Sequence, residues 1–308
     1  MDTLLLIDGN AIMHRAFHAL PPFQTKDGTQ TNILYGFLGI LLKAIEDFTP
    51  THIIVAFDTP TPTFRKKLHK EYQSHRPDLV DDFKVQIPIL RQMLRDADIT
   101  TLEKPGFEAD DVIGTIVARF KKNARILILT GDKDIMQLVD KNVTVVTPKV
   151  GVSSVNVYGI DEVKQKLGVV PSMIPELKGL MGDPSDNYKG AKGIGPKTAV
   201  KLLEQFGSIE KMLAHPEKIE NERIMNLIKE HADSIRMSKK LATIVTDVPV
   251  ECDIEMTRFK GFPPKLARFL DRYEIHSLAA RIFSSKKQKP DEPSKEKKED
   301  AVDQGKLF

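Results

Sequence analysis

Residues 4–8 read LLLID, and the same design returns twice, as IIVAFD at 53–58 and ILILTGDKD at 126–134. Each is a short, continuous run of Leu, Ile and Val without a polar face, as in a strand buried on both sides. Longer helical patterns separate the runs, at 33–48 (ILYGFLGILLKAIEDF) and 85–97 (VQIPILRQMLRDA). Buried strands alternating with helices predict an α/β fold with a mainly parallel sheet flanked by helices. A further run, VTVVT at 143–147, extends the sheet.

Each of the three runs closes on acid: Asp8, Asp58, and the pair Asp132 and Asp134. In an open parallel sheet the carboxyl ends of the strands border the ligand crevice. One aspartate there is an ordinary turn former or helix cap, but three strands sending carboxylates to one edge is a different pattern. The stretch PGFEADDVIGTIVARF at 105–120 adds Glu108, Asp110 and Asp111 at the start of a helical run. A helix N-terminus tolerates such acids through its exposed N–H groups and dipole. Together these carboxylates cannot all stay ionised without cations, and Lys104 and Lys133 are the nearest in sequence.

The donor set narrows the choice of cation. Cys252 is the single cysteine, which excludes an internal disulfide framework and any Cys-rich zinc site. His14 and His18, in HRAFH, stand one helical turn apart but lack an accompanying Glu motif. An all-carboxylate site suits hard divalent ions, Mg²⁺ with Mn²⁺ as a substitute. Two such ions roughly 4 Å apart recur in phosphodiester cleavage, one activating water and the other steadying the leaving oxygen.

At 308 residues, with 41% hydrophobic content, the chain has room for two domains with cores of their own. The balance of 46 Lys and Arg against 43 Asp and Glu leaves a net charge of only +3, so local patches matter more than the total. One such patch is TPTPTFRKKLHKEYQSHR at 59–76, with Arg65, Lys66, Lys67, His69, Lys70, His75 and Arg76 around Phe64 and Tyr72. It reads as a solvated helix face, or as a basic collar over the acidic crevice suited to single-stranded nucleic acid. The opening MDTLLLIDGN lacks a basic n-region, and no apolar stretch approaches the roughly 20 residues of a membrane span. The expectation is a soluble cytoplasmic protein.

From about residue 160 the texture becomes helical, with runs at 160–167, 173–181, 197–206 and 222–231. Inside it lies GLMGDPSDNYKGAKGIGPKTA at 179–199, carrying Asp183 and Asp186 in a turn-rich segment. The segment is not a phosphate-binding P-loop, because Pro196 separates Gly195 from Lys197 and no strand precedes it. It reads better as a helix–hairpin–helix: a helix to about Met181, a tight turn at Gly193, Ile194 and Gly195, then a helix from Lys197 and Thr198. Glycines let a phosphate approach the backbone, and the second helix offers its N–H groups without reading bases. After Phe283 the sequence is almost free of apolar residues until its last two, and disorder is expected there.

In this order, LIDGN, VAFD, GFEADDVIGT, LTGDKDIMQLV and GDPSDNYKGAKGIGPKTA resemble the motifs of the structure-specific 5′ nuclease (flap endonuclease) family. The similarity is greatest to the 5′–3′ exonuclease domain of bacterial DNA polymerase I and its stand-alone relatives, and it runs over residues 2–283. It implies a PIN-like α/β nuclease domain over 1–165 with a helical arch at about 60–85, and a helical domain over 166–285. It assigns Asp8, Asp58, Glu108 and Asp110 to one metal cluster and Asp132, Asp134 and Asp186 to a second, with Asp110 near both. Asp111 and Asp183 match further family carboxylates, and Arg15 and Arg76 match basic residues near the scissile phosphate. In the arch, Arg65, Lys66, Lys67, Lys70, Tyr72 and Arg76 would meet the 5′ strand. The GIGPK hairpin (Gly193, Ile194, Gly195, Lys197, with Thr198) would hold duplex DNA, with K⁺ between backbone and phosphate.

One departure stands out: Gln73 comes after Tyr72 where polymerase-linked members commonly carry lysine, which predicts slower turnover rather than a dead site. If Phe308 is the true terminus, the chain is a stand-alone monomeric nuclease with a tail over 286–308. That tail ends QGKLF, and Gln304, Leu307 and Phe308 match the Q-x-x-L-F pattern of bacterial sliding-clamp ligands, a short pattern that also arises by chance. The implied task is removal of RNA primers and displaced 5′ flaps in replication and repair. A PIN-like ribonuclease and a non-catalytic flap-binding protein are the competing readings.

Overall fold

The computed structural model describes residues 1–148 and 155–284; residues 286–308, with Gln304, Leu307 and Phe308, lie outside them. Strand β1 (Asp2–Asp8) leads into α1 (Gly9–Ala19), α2 (Asn32–Phe48) and β2 (His52–Ala56). Two short helices, α3 (Phe64–Leu68) and α4 (Asp81–Lys84), precede α5 (Gln86–Asp96), β3 (Thr100–Leu102) and α6 (Ala109–Phe120). Strands β4 (Ala124–Leu129), β5 (Val143–Pro148) and β6 (Val155–Tyr158) complete one sheet of order β3-β2-β1-β4-β5-β6. All its pairings are parallel except that of β6 with β5.

The continuous apolar runs are explained by two cores, one on each face. Leu4 and Leu6 pack with α6 residues Val112, Ile113 and Ile116, while Leu5 and Ile7 pack with Phe37 and Leu41 of α2 and Leu90 of α5. A period-2 strand covered on both faces needs no polar alternation, and each buried Leu or Ile contributes about 1.5–3 kcal/mol. Two strands escape the sequence reading: β3 has only three residues, and β6 is a half-exposed VNVY edge.

The helical region comprises α7 (Ile160–Leu167), α8 (Ile174–Met181), a ribbon of β7 (Gly182–Asp183) and β8 (Tyr188–Lys189), α9 (Pro196–Phe206), α10 (Ile209–Ala214), α11 (Glu222–Glu230) and α12 (Ala232–Ala242). The expected hairpin is thus more than a GIG turn, because the β7–β8 ribbon intervenes between α8 and α9. The ribbon folds back so tightly that a Cβ on Gly190 would stand 2.3 Å from the Leu180 carbonyl oxygen. Only glycine fits there.

Two further expectations need correction. The last helices, α13 (Pro264–Arg272) and α14 (His276–Phe283), do not belong to the helical domain. Leu266, Phe269, Leu270 and Leu278 join the core of α2 and α5, and Phe259 N–H donates to the Thr51 carbonyl at 2.8 Å. Their apolar faces are buried by returning to the first domain. Nor is 60–85 a continuous helical arch: α3 and α4 are single turns, joined by a non-helical segment. Pro60, Pro62 and Pro77 lack N–H donors, and the polar stretch between them offers little apolar stripe for a long helix to bury. Among the described residues no helix is long and apolar enough to cross a membrane.

Candidate active site

Parallel pairing sets Asp8 beside Ala56 and Ile7 beside Leu129, so β2, β1 and β4 end level with one another. Their terminal acids therefore open onto one cleft. Asp8, Asp58, Glu108, Asp110, Asp132, Asp134 and Asp186 all border it, around a space of about 320 Å³. Hydrogen bonds aim several of them. Asp8 caps α1, accepting from Ala11 N–H at 2.9 Å and from the Thr130 hydroxyl at 2.7 Å. Asp58 accepts from Ala109 N–H at 2.7 Å, at the N-terminus of α6, while its own N–H donates to Asn10 Oδ1 at 3.0 Å. Asp132 Oδ1 accepts from Asp134 N–H at 2.8 Å.

Burial drives Asp8, Asp58, Glu108 and Asp110 upward in pKa. Asp8 is pushed up to about 7, with Asp58 and Asp132 adding repulsion against the bonds from Ala11 and Thr130. Glu108 also rises to about 7, by burial that Arg65 only partly offsets. Asp58 is raised by burial, and Asp110 well above the ordinary range by burial and then by Asp132, Asp8 and Glu108. A cleft of acids that retain protons near neutrality is matched to divalent cations, which would displace those protons.

Protons held in the cleft make stability depend on pH. Asp8 and Glu108 titrate near 7 when folded, against 3.8 and 4.5 as free groups. Between those values the folded chain binds more protons than the unfolded one, so stability in a chelator falls as pH rises from about 4 to about 7. Mg²⁺ should therefore raise Tm more at about pH 7.5 than at about pH 5. Thermal melts with and without chelator check this; equal shifts at both pH values would contradict it.

A second group lies at the junction with the helical domain. Carboxylate oxygens of Asp134, Asp183 and Asp186 come within 4.8 Å of one another. Lys178, on the last turn of α8, bonds both Asp134 and Asp183. Asp134 is pushed up to about 7 by burial and Asp132 despite Lys178. Asp183 feels burial too, but Lys178 and Ser185 outweigh it and hold its carboxyl low. Asp186 accepts from Arg76 at 2.6 Å, Gln73 Nε2 at 3.0 Å and Tyr72 hydroxyl at 3.4 Å.

The sequence reading needs four corrections here. Asp111 is not open to a metal: it is fully buried, and its two oxygens take the Arg65 guanidinium at 2.7 and 2.8 Å. Arg65, with 3% of its side chain exposed, is accordingly not a DNA contact. Its remaining donors reach the Leu241 and Thr243 carbonyls at 2.8 and 2.9 Å. Tyr72 is also buried, its hydroxyl 3.2 Å from Glu108 and its ring stacked with Tyr188 at 6.3 Å. Ile194 points into the core and supports the turn rather than touching a ligand.

Other predicted residues stand at the surface. Lys66, Lys67, Lys70 and Arg76 are exposed, and Lys66 and Arg76 border the cleft itself. Gly193 (φ +98°) and Gly195 are exposed at the turn before α9, and on its first turn Lys197 is exposed and Thr198 half-buried. Arg15 sits half-buried on α1, outside the cleft border. Among the described residues no salt bridge joins Lys104 or Lys133 to the acids; Lys178, Arg65 and Arg76 fill that role instead. Lys178 is legible in the sequence only as a helical residue five positions before Asp183, and Asn10 and Thr130 only as polar neighbours of strand ends.

Comparison with known proteins identifies the family and the fold. The profile of the 5′-3′ exonuclease N-terminal resolvase-like domain matches residues 3–168, and that of the 5′-3′ exonuclease C-terminal SAM fold matches residues 169–265. The 5′-3′ exonuclease of Aquifex aeolicus is 38% identical over 285 residues, covering 92% of this chain and 96% of that protein. DNA polymerase I of Bacillus subtilis is 41% identical over 260 residues, 84% of this chain but 30% of the polymerase. The chain thus spans about a third of the length of the polymerases it matches. In fold it is similar to the bacteriophage T5 flap endonuclease, solved as a pseudo-enzyme-product complex with DNA and metal ions. That likeness has a TM-score of 0.65 and 17% identity, over 90% of this chain and 99% of that one. With both profiles matched in order across most of its length, the chain belongs to the 5′-3′ exonuclease family.

Proposed function

We propose that the protein is a metal-dependent 5′–3′ exonuclease and 5′-flap endonuclease, cutting DNA and RNA primers on DNA at 5′ ends, nicks and flaps during replication and repair. The observation that carries this reading is the convergence of Asp8, Asp58, Glu108, Asp110, Asp132, Asp134 and Asp186 on one cleft, with exposed Lys66 and Arg76 at its border. Asp8, Asp58, Glu108 and Asp110 form one holding group, and Asp132, Asp134, Asp183 and Asp186 the other. Mg²⁺ bound there, or Mn²⁺ in its place, supplies Lewis-acid charge to the attacking water and the leaving oxygen.

The chain's own residues do the positioning. The bonds from Ala11, Thr130 and Ala109 fix Asp8 and Asp58 in place before substrate arrives, so little reorganisation remains at the moment of reaction. Lys66, Lys67 and Lys70 draw the 5′ strand toward the cleft, and Arg76 is placed to exchange Asp186 for a phosphate. Arg15 completes the basic surface near the reacting phosphate. Gln73 offers an amide where a lysine would offer a charge, so turnover is slower than in a lysine-bearing site. At the turn before α9, exposed Gly193 and Gly195 give duplex phosphate access to the backbone, with Lys197, Thr198 and K⁺ completing the contact.

A cleavage assay on 5′-flap, nicked, single-stranded and RNA–DNA substrates tests this. Mg²⁺-dependent products bearing 5′-phosphates are expected, and absence of cleavage on all substrates with Mg²⁺ and Mn²⁺ overturns it. Binding without cleavage would favour a flap-binding protein, and cleavage of RNA strands alone a ribonuclease. The protein would act as a cytoplasmic monomer tethered to the sliding clamp by Gln304, Leu307 and Phe308. Deleting residues 304–308 should abolish clamp binding in a pull-down with purified clamp, because the two apolar anchors and the glutamine leave together.

A further inference from the structure

The two acid groups meet their charge in different ways. Among the described residues, no salt bridge reaches Asp8, Asp58 or Asp110, and in that group only Glu108 meets a cation, Arg65 at 3.3 Å, which is itself held by Asp111. The group of Asp134, Asp183 and Asp186 carries cations of the chain's own. Lys178 spans Asp134 and Asp183, and Arg76 lies on Asp186 at 2.6 Å. These two cations are not equivalent. Arg76 is half exposed on a turn, with 53% of its side chain in solvent, and can leave at little cost. Lys178 is only 18% exposed and projects from a helix between two acids that are 14% and 10% exposed.

An ammonium is a compact point charge with three donors, so two carboxylates on either side of it satisfy it as they would a small metal ion. We propose that Lys178 sets the affinity of the second cation site: its amine holds the ground between Asp134 and Asp183 and must swing away before a divalent ion engages both. The inference rests on the two-metal reading above and adds an order to it. The group around Asp8 and Asp110 fills first, and the group around Asp183 fills only at the expense of a lysine contact.

The test needs no substrate. Mn²⁺ is titrated into the full chain, with bound ion followed by calorimetry and free ion by electron paramagnetic resonance, for the native protein, Lys178→Met, Lys178→Gln and Lys178→Arg. The native chain should show one tighter and one weaker binding step, and Asp183→Asn should remove the weaker one. Both neutral variants should tighten the weaker step about tenfold, equivalent to about 1.4 kcal/mol, and leave the tighter step alone. Lys178→Arg should keep the native weakness. A weaker step indifferent to both neutral variants overturns the role of Lys178 while leaving two metals in place. Failure of every protein to bind more than one ion overturns the two-metal reading and Lys178 with it. Using two neutral variants of different polarity keeps the test decisive if one folds poorly.

Discussion

Replacing Asp110 by alanine is expected to abolish cleavage while leaving junction binding nearly intact. Asp110 borders the cleft on the first turn of α6, and its charge feels Asp132, Asp8, Glu108 and Asp58 together. It is thus the carboxylate shared by the acids of β1, β2 and β4. On the proposed two-metal reading, losing it would remove one ligand from a site whose ions would supply several kcal/mol of transition-state stabilisation, a fall in rate of at least about a thousandfold. On the same reading binding would rest on phosphate contacts elsewhere and should change little. Single-turnover cleavage with Mg²⁺, beside junction binding with Ca²⁺, separates the two effects. Near-normal turnover would contradict the assignment. Asp110→Asn should also raise the melting temperature in chelator near neutral pH, because it removes a carboxyl that must give up its ordinary ionisation on burial beside other acids.

The largest loss of stability is expected from Arg65→Met. Arg65 joins three parts of the chain: its own helix α3, the start of α6 through Asp111 and Glu108, and the C-terminal end of α12 through the Leu241 and Thr243 carbonyls. With Arg65 gone, Asp111 stays fully buried and ionisable with no cation, which costs about 3–5 kcal/mol. Lysine cannot reproduce the planar fork, so Arg65→Lys should recover only part of this. Pairing Arg65→Met with Asp111→Leu should recover most of it, since the stranded charge is then absent. Urea unfolding of the single and double variants measures the cycle. A loss below about 1 kcal/mol, with a large fall in DNA affinity, would instead return Arg65 to the DNA-contact role that the basic run suggests.

Arg65 also marks the limit of sequence reading. In FRKKLHK it is one of four basic residues, Arg65, Lys66, Lys67 and Lys70, that nothing local tells apart. The three lysines do not share its burial, because the single turn α3 aims one side chain inward toward Asp111, forty-six positions away. Tyr72 misleads in the same way: its aromatic ring suits a base, but here it stacks on Tyr188 beneath the cleft. The break between α3 and α4 has a related cause, since that segment lacks a strong apolar stripe and takes its shape from the acids it lies against.

By itself the sequence determined the parallel sheet, the buried character of its strands and the edge to which Asp8, Asp58, Asp132 and Asp134 are delivered. These features come from local periodicity, because a strand covered on both faces must be continuously apolar and its end must open at the sheet's carboxyl edge. Only the tertiary structure decided which cation meets which acid. It withdrew Asp111 from the cleft and set Lys178 between Asp134 and Asp183. It also returned α13 and α14 to the first core. Those pairings join residues brought together by the crossing of packed helices and the direction of single side chains. Neither leaves a period in the sequence, whereas burial makes each of them energetically large.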